Sequence, residues 1–327
     1  MTLKKNALSL MIAGALGLSA PHALASDIGG YGRLDVGLQF TDLDVPDTDG
    51  NDSNLDVVGL NSRFGFKGSE DLGNGVTAVY RFEFRVLADD TTIPGSNRLS
   101  YVGFASEVGT LTIGRQWSSQ YNHLGTFLDP TLYVGTGYAG IDSGLFALRQ
   151  SDMVKYASVA GAVRFEIDLR ADGSGGGDEN IDEYQAHGTF DAGALQVAAG
   201  VRNVVALTGS DTTHVGAAGS IDIGKAATVR GGLMFVSDNT SDSGMLLGAN
   251  ATVIAGGGLS FMVGADFFDD NDGNQATGFR DFKTLFGGVY KQHSKRTRVY
   301  GELRFEDHDQ DNTQSETILY GAIRHDF

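Results

Sequence analysis

Residues 75–86 read GVTAVYRFEFRV, with Tyr80, Phe82, Phe84 and Val86 alternating with Arg81, Glu83 and Arg85. Successive side chains of a strand leave on opposite faces, so this stretch builds one oil-compatible face and one charged face. The pattern recurs. In YGRLDVGLQF, Leu34, Val36, Leu38 and Phe40 oppose Arg33, Asp35 and Gln39. In VRFEIDLR, Val163, Phe165, Ile167 and Leu169 oppose Arg164, Glu166, Asp168 and Arg170. TRVYGELRFED sets Val299, Gly301, Leu303 and Phe305 against Arg298, Tyr300, Glu302, Arg304 and Glu306. After Ser26, period-two alternation keeps returning while helical periodicity is scarce.

The connections alternate as well. Short turns occur at SEDLGNG, SEVG, SVAGA, DAGA, DIGKA, AGGG and SKRT, and eight longer polar stretches lie between them, including TDLDVPDTDGNDSN, residues 118–151 and DHDQDNTQSE. Seven short and eight long connections make fifteen, hence sixteen strands with both termini on one side. A soluble sandwich would turn the apolar faces inward, but it would have to bury sixteen aromatic-rich faces in one core with all long loops at one end. A closed antiparallel transmembrane β-barrel inverts the faces: apolar residues meet lipid, charged residues meet an aqueous lumen, and closure leaves no edge in hydrocarbon. Barrels of 16 to 18 strands leave an aqueous channel, so passage of small hydrophilic solutes is expected.

The chain has 327 residues, and the first 25 read as a cleaved secretory signal peptide: basic Lys4 and Lys5, an apolar run from Ala7 to Ala20, and Ala23-Leu24-Ala25 at the exit. A single barrel domain over 26–327 remains, with 22 basic and 41 acidic side chains, or −19, a balance that argues against nucleic acid. There is no cysteine, so disulfides and thiolate chemistry are excluded. Forty-seven glycines against four prolines suit a chain of turns and ladders. Gly135, Gly137 and Gly140 match G-x-G-x-x-G but lack the strand-turn-helix context of a phosphate site. No cofactor is expected. The acidic runs near Asp49 and Asp272 lack calcium-loop spacing, although Asp42, Asp44, Asp47, Asp49 and Asp52 form an acidic external loop able to hold divalent cations weakly. Six scattered histidines outside the leader carry no hydrolase signature.

YGRLDVGL, SRFGFKGSEDLGNG, NRLSYVGF, GTLTIGRQ and the terminal YGAIRHDF, in this order and spacing, resemble the general diffusion porins of Gram-negative outer membranes. The resemblance implies a trimer of 16-stranded barrels with short periplasmic turns and long external loops. It also implies a third external loop folded into each pore, its acidic groups facing a basic wall. The wall positions fall on Arg33, Arg63 and Arg98, joined by Arg81 on the same polar face and by Arg149 before the sixth strand. On the loop, Asp129 takes the place of an eyelet acid, Tyr133 stands where some relatives carry a second acid, and Asp142 is a compensating candidate. Phe327, on the apolar face with Leu319 and Ile323, corresponds to the tag read by the barrel assembly machinery and also suits the membrane interface. Arg115 breaks parity, following Leu111 and Ile113, and is expected at a subunit contact or beneath the loop.

The expectation is therefore a non-enzymatic outer-membrane channel for ions and small polar solutes, surrounded by lipid. A solute-selective channel of the same fold, a barrel hydrolase and a secreted β-sandwich are the alternatives. The sign of charge selectivity stays open, since acidic loops favour cations at the mouth and the arginines favour anions at the neck.

Overall fold

In the computed structural model the described residues are 27–44, 50–59, 61–88, 95–135, 147–172, 181–205, 211–238, 243–270, 281–308 and 315–327. The expected leader, Asp47, Asp49 and Asp142 lie outside them. Seventeen strand segments follow one another: β1 (Asp27–Leu43), β2 (Ser53–Val58), β3 (Arg63–Gly73), β4 (Val76–Arg85), β5 (Asn97–Ser106), β6 (Gly109–Trp117), β7 (Arg149–Ala160), β8 (Val163–Arg170) and β9 (Glu183–Asp191). Then come β10 (Leu195–Val204), β11 (Thr212–Ile223), β12 (Ala227–Asp238), β13 (Ser243–Gly256), β14 (Leu259–Asp270), β15 (Phe282–Gln292), β16 (Thr297–Asp307) and β17 (Glu316–Asp326).

Consecutive strands pair antiparallel, β2 and β3 excepted, and β1 closes the ring onto β17. The sixteen-strand expectation and the segment count agree because β2 and β3 are halves of one stave. β1 pairs with β2 through Gly37–Asp42 and with β3 through Asp27–Arg33. At the gap a side chain replaces the ladder: Asp35 N–H donates to Ser62 Oγ (2.9 Å), which donates back to the Asp35 carbonyl (3.1 Å). This break turns Asn61 toward the inward loop described below, where its amide donates to the Leu132 carbonyl at 2.5 Å.

The faces are inverted relative to a soluble protein. Ile323 is 61% exposed and Phe305 44%, whereas Glu302 and Glu83 are each 1% exposed. Stranding large apolar side chains on the outside while burying carboxylates is stable only where the outside is hydrocarbon and the inside is polar, which removes the β-sandwich alternative. Among the described residues no helix is long and apolar enough to cross a membrane, so the strands alone form the wall.

The lumen is not uniformly polar. Between β6 and β7 the chain turns inward as a helical segment, Tyr121–Gly125 continued by Thr126–Leu128. Leu124, Phe127 and Leu128 pack on Ala198, Ala218, Met234, Leu246 and Phe268 of the inner wall. Glycines make the room: a Cβ at Gly216 would come within 2.7 Å of Leu124, and one at Gly248 within 3.0 Å of Leu128. One side of the lumen is thereby occupied by the loop, and the open side is left to β1 through β5.

Candidate pore constriction

The inward positions of β1, β3, β4 and β5 carry the open wall, and register sets their order. Asp326, Arg33, Arg63 and Arg85 lie in one row across β17, β1, β3 and β4, while Lys67, Arg81 and Tyr101 form a second row across β3, β4 and β5. Like charges in neighbouring register positions repel. Glu83, on β4 between the two rows, offsets that repulsion. Its carboxylate accepts from Arg98 Nε at 2.7 Å, Arg81 Nη2 at 2.8 Å and the Tyr31 hydroxyl at 2.9 Å, with Arg63 Nε at 3.9 Å. Tyr31 completes the knot by accepting from Arg81 Nε at 2.7 Å, and its ring stands 5.3 Å from Lys67 Nζ and 5.1 Å from the Arg81 guanidinium. A buried carboxylate is stable here because several charge-assisted bonds converge on it.

Arg63, Arg81 and Arg98 are thus brought together on one carboxylate. Arg33 stands beside them but pairs with Asp326, at 2.6 Å. Arg149, on β7, lies over the Trp117 ring at 4.8 Å, and Trp117 stacks on Tyr121 of the loop at 4.7 Å. Around the Glu83 knot, Arg33, Lys67 and Arg85 occupy neighbouring register positions on β1, β3 and β4. A β-bulge at Gly114/Gln116 takes Arg115 out of the ladder with β7, and its guanidinium donates to the Asn97 carbonyl at 3.0 Å and the Ser151 hydroxyl at 2.9 Å.

The loop facing the wall is fastened at both ends. At its root, Ser118 N–H donates to the Leu148 carbonyl (3.0 Å), Ser119 N–H to Asp168 (2.6 Å) and the Asn122 amide to Glu166 (2.9 Å). Lys155 bridges Glu166 (2.6 Å) and Asp168 (3.6 Å) below. His123 shares a hydrogen bond with Thr189 at 2.7 Å, and burial pushes its imidazole down to about 4, so it is neutral at pH 7. At the far end the consecutive N–H groups of Leu132, Tyr133 and Val134 all point at Glu302, at 2.6, 2.9 and 3.0 Å. The Tyr290 hydroxyl gives that carboxylate a fourth donor at 2.7 Å. Tyr133 further stacks on Tyr320 (3.7 Å between centroids) and donates to Gln39 (2.8 Å), so it belongs to the dock of the loop.

Asp129 lies between the apolar segment and this dock. Its carboxylate accepts from Thr131 at 2.9 Å and from Tyr121 at 3.4 Å, and among the described residues no ion pair joins it to a wall arginine. Burial pushes its pKa up to about 6, with the Glu302 charge adding to the rise and the Thr131 hydroxyl opposing it. Among the described residues of the loop Asp129 is the one acid, and it faces a wall on which three arginines share Glu83.

Glu83, Glu302, Asp326 and Trp117 were not singled out by sequence reasoning. Glu83 had a signal, an acid between Arg81 and Arg85 on the same strand face. Glu302 and Asp326 meet their partners across most of the chain, and no local pattern announces such contacts. Among the described residues no group of three His, Asp or Glu side chains is arranged to hold a metal ion.

The Gram-negative porin family model matches residues 8–311. Major outer membrane protein P.IB of Neisseria meningitidis serogroup B is 26% identical over 211 residues, 60% of this chain and 57% of that protein, so the matched stretch spans little more than half the relative's length. The Neisseria gonorrhoeae counterpart is 34% identical over 116 residues, covering 34% of this chain and 32% of its own. In fold, the anion-selective porin from Comamonas acidovorans is similar with a TM-score of 0.78 at 19% identity, covering 93% of this chain and 100% of that one. Salmonella typhi OmpF gives 0.73 at 17% identity, covering 92% and 97%. With the family model matching most of its length, and with an inverted sixteen-stave barrel holding an inward loop against a basic wall, this chain belongs to the Gram-negative porin family.

Proposed function

We propose that the chain, freed of a leader over residues 1–25, is an outer-membrane porin that passes ions and small hydrophilic solutes passively, and that its neck favours anions. The observation that carries this reading is the convergence of Arg63, Arg81 and Arg98 on the single carboxylate of Glu83, with Arg33, Lys67 and Arg85 in neighbouring register positions, opposite a loop whose described acid, Asp129, is pushed up to about 6 by burial. Cations fixed in a narrow aqueous neck attract anions where screening is least. The similar fold from Comamonas acidovorans is described as anion-selective, which agrees with this sign. Planar-bilayer recording in a salt gradient tests it: an ohmic channel whose reversal potential has the anionic sign is expected, and a cationic sign overturns the selectivity while leaving the channel.

The reading includes assembly as a homotrimer among membrane lipids, with the exposed terminal Phe327 as the residue read by the assembly machinery. It is also non-enzymatic. The pair nearest to a nucleophile and base, Ser119 Oγ and His187 Nδ1 at 3.0 Å, is sealed between loop and wall with Ser119 fully buried, which supports a fastening role. Saturation of conductance by one solute would convert the reading to a solute-selective channel.

A further inference from the structure

Of the seven short turns, six are acidic, balanced or uncharged, and only SKRT, joining β15 to β16, carries an excess of positive charge. Its own hydrogen bonds hold it tight. The His293 and Ser294 N–H groups donate to the Thr297 carbonyl at 2.9 and 3.2 Å, and Ser294 Oγ accepts from the Arg296 and Thr297 N–H groups at 3.2 and 3.1 Å. The Arg296 carbonyl also accepts from Asp326 N–H at 2.9 Å, which fastens the turn to the end of β17. Lys295 and Arg296 are exposed on it, and among the described residues no ion pair engages either.

From the turn the cations continue along the inner wall. Parity sends Arg298 into the lumen with the buried Tyr300 and Glu302, and Arg324 with the buried Tyr320 and Ala322. Register sets Arg298 beside Arg324, and like charges in neighbouring positions repel. Little offsets that repulsion. Asp326 divides its carboxylate between Arg33 at 2.6 Å and Arg324 at 3.6 Å, while Asp35, opposite Arg324 in register, accepts from the Tyr300 hydroxyl at 2.7 Å and makes no ion pair among the described residues. Arg298 has no ion pair among them either. It is the second residue of β16, and Glu302, which docks the loop, lies about 14 Å further along the strand at about 3.4 Å per residue, so Arg298 stands between the dock and the short-turn rim. Fixed cations at a water-filled mouth raise the local concentration of anions. We propose that Arg298 and Arg324, with Lys295 and Arg296 on the rim, form an anion-gathering station at the periplasmic mouth, separate from the neck, which concentrates small inorganic and carboxylate anions and favours their entry from that side. The station deepens the reading of the chain as a porin and rests on the lumen being open to ions.

The chain has no cysteine, so Arg298→Cys introduces a single thiol that can be charged in a channel already inserted in a planar bilayer. An ammonium-bearing methanethiosulfonate restores one positive charge there, and a sulfonate-bearing one adds a negative charge. Each charge acting across about 10 Å of water changes the local chloride concentration about twofold, so the two adducts, two charges apart, should differ about fourfold in chloride current when voltage drives chloride in from the periplasmic side in dilute salt, about 10 mM. The difference should be smaller in the opposite polarity and should vanish near 1 M salt, where screening acts within about 3 Å. Both adducts are compared in one folded channel, so the result does not depend on how well the variant folds. K295Q/R296Q should lower the same current about fourfold. Equal currents for the two adducts in dilute salt overturn the station, and a difference of the same size in both polarities assigns Arg298 to the neck and overturns it as well. An unmodified channel whose reversal potential has the cationic sign overturns the selectivity proposed for the neck, and the adduct comparison still decides the station.

Discussion

Replacing Glu302 with Gln should loosen the inward loop while sparing the barrel. In the native protein Oε1 accepts from Leu132 N–H and Tyr290, and Oε2 from Tyr133 and Val134 N–H, so every lone-pair direction of the carboxylate meets a donor. A glutamine amide keeps one oxygen and turns the other position into a donor facing two donors. Two charge-assisted bonds are lost, at about 1.5–3 kcal/mol each, or roughly 3–6 kcal/mol of docking free energy. What remains at that end is the Tyr133–Tyr320 stack, the Tyr133 hydroxyl bond to Gln39, the Asn61 bond to the Leu132 carbonyl and the Arg304 bond to the Val134 carbonyl at 3.0 Å. The root and the apolar segment around Phe127 are untouched, so the loop should swing about its anchored half. Single-channel recording is the assay: transient closures or altered conductance levels are expected in E302Q, together with faster proteolysis near residue 132, while melting of the barrel stays close to wild type. Quiet channels of native conductance with unchanged proteolysis would refute the reasoning.

Neutralising Arg63 and Arg98 together should shift the reversal potential toward cations, by about tenfold in anion-to-cation permeability ratio per charge if each acts across about 6 Å of water-like medium, about threefold on the anion and the inverse on the cation; no shift would remove both from the conduction path. Because Asp129 has a folded-state pKa of about 6, above the ordinary carboxylate value, it favours docking while protonated. That contribution is complete below about pH 4 and is lost as pH rises through 6, where a negative charge appears in the neck. Anion preference should therefore be greater at pH 5 than at pH 7.5, and D129N should flatten the difference; equal pH dependence in D129N assigns the titration elsewhere. Cysteines placed singly at Phe82 and Glu83 should divide between probes: a lipid-confined reagent is expected to label position 82 and spare 83, and the opposite pattern would reverse the assignment of faces.

The wall was legible because its signal is local and repeated. Each strand declares its two faces within ten residues, as Arg81, Phe82 and Glu83 do, and the alternation of short and long connections converts those local readings into a strand count. Parity puts Arg33, Arg63 and Arg81 on the inward side, but Arg98 has the parity of the exposed Val102 and Phe104, and only the bulge that leaves it as the extra residue of β5 opposite Glu83 and Phe84 turns it inward. Parity could not say which of them would be tied down. Whether Arg63 faces solute or a carboxylate depends on where Glu83 projects and on Tyr31 reaching it from β1, 52 residues away. The loop was harder still. Its residues carry no period that predicts which wall they meet, and the dock joins Leu132 to a glutamate 170 positions later. The expectation for Tyr133 shows the physical reason. As a substitute for an acid it looked like a weakening of the negative side, but its ring stacks on Tyr320 and its backbone approaches Glu302, so it serves attachment. A position judged only by charge can be filled for shape. The carboxylate that a sequence reading places on the loop is here partly supplied by the wall, where Glu302 holds the loop's own backbone.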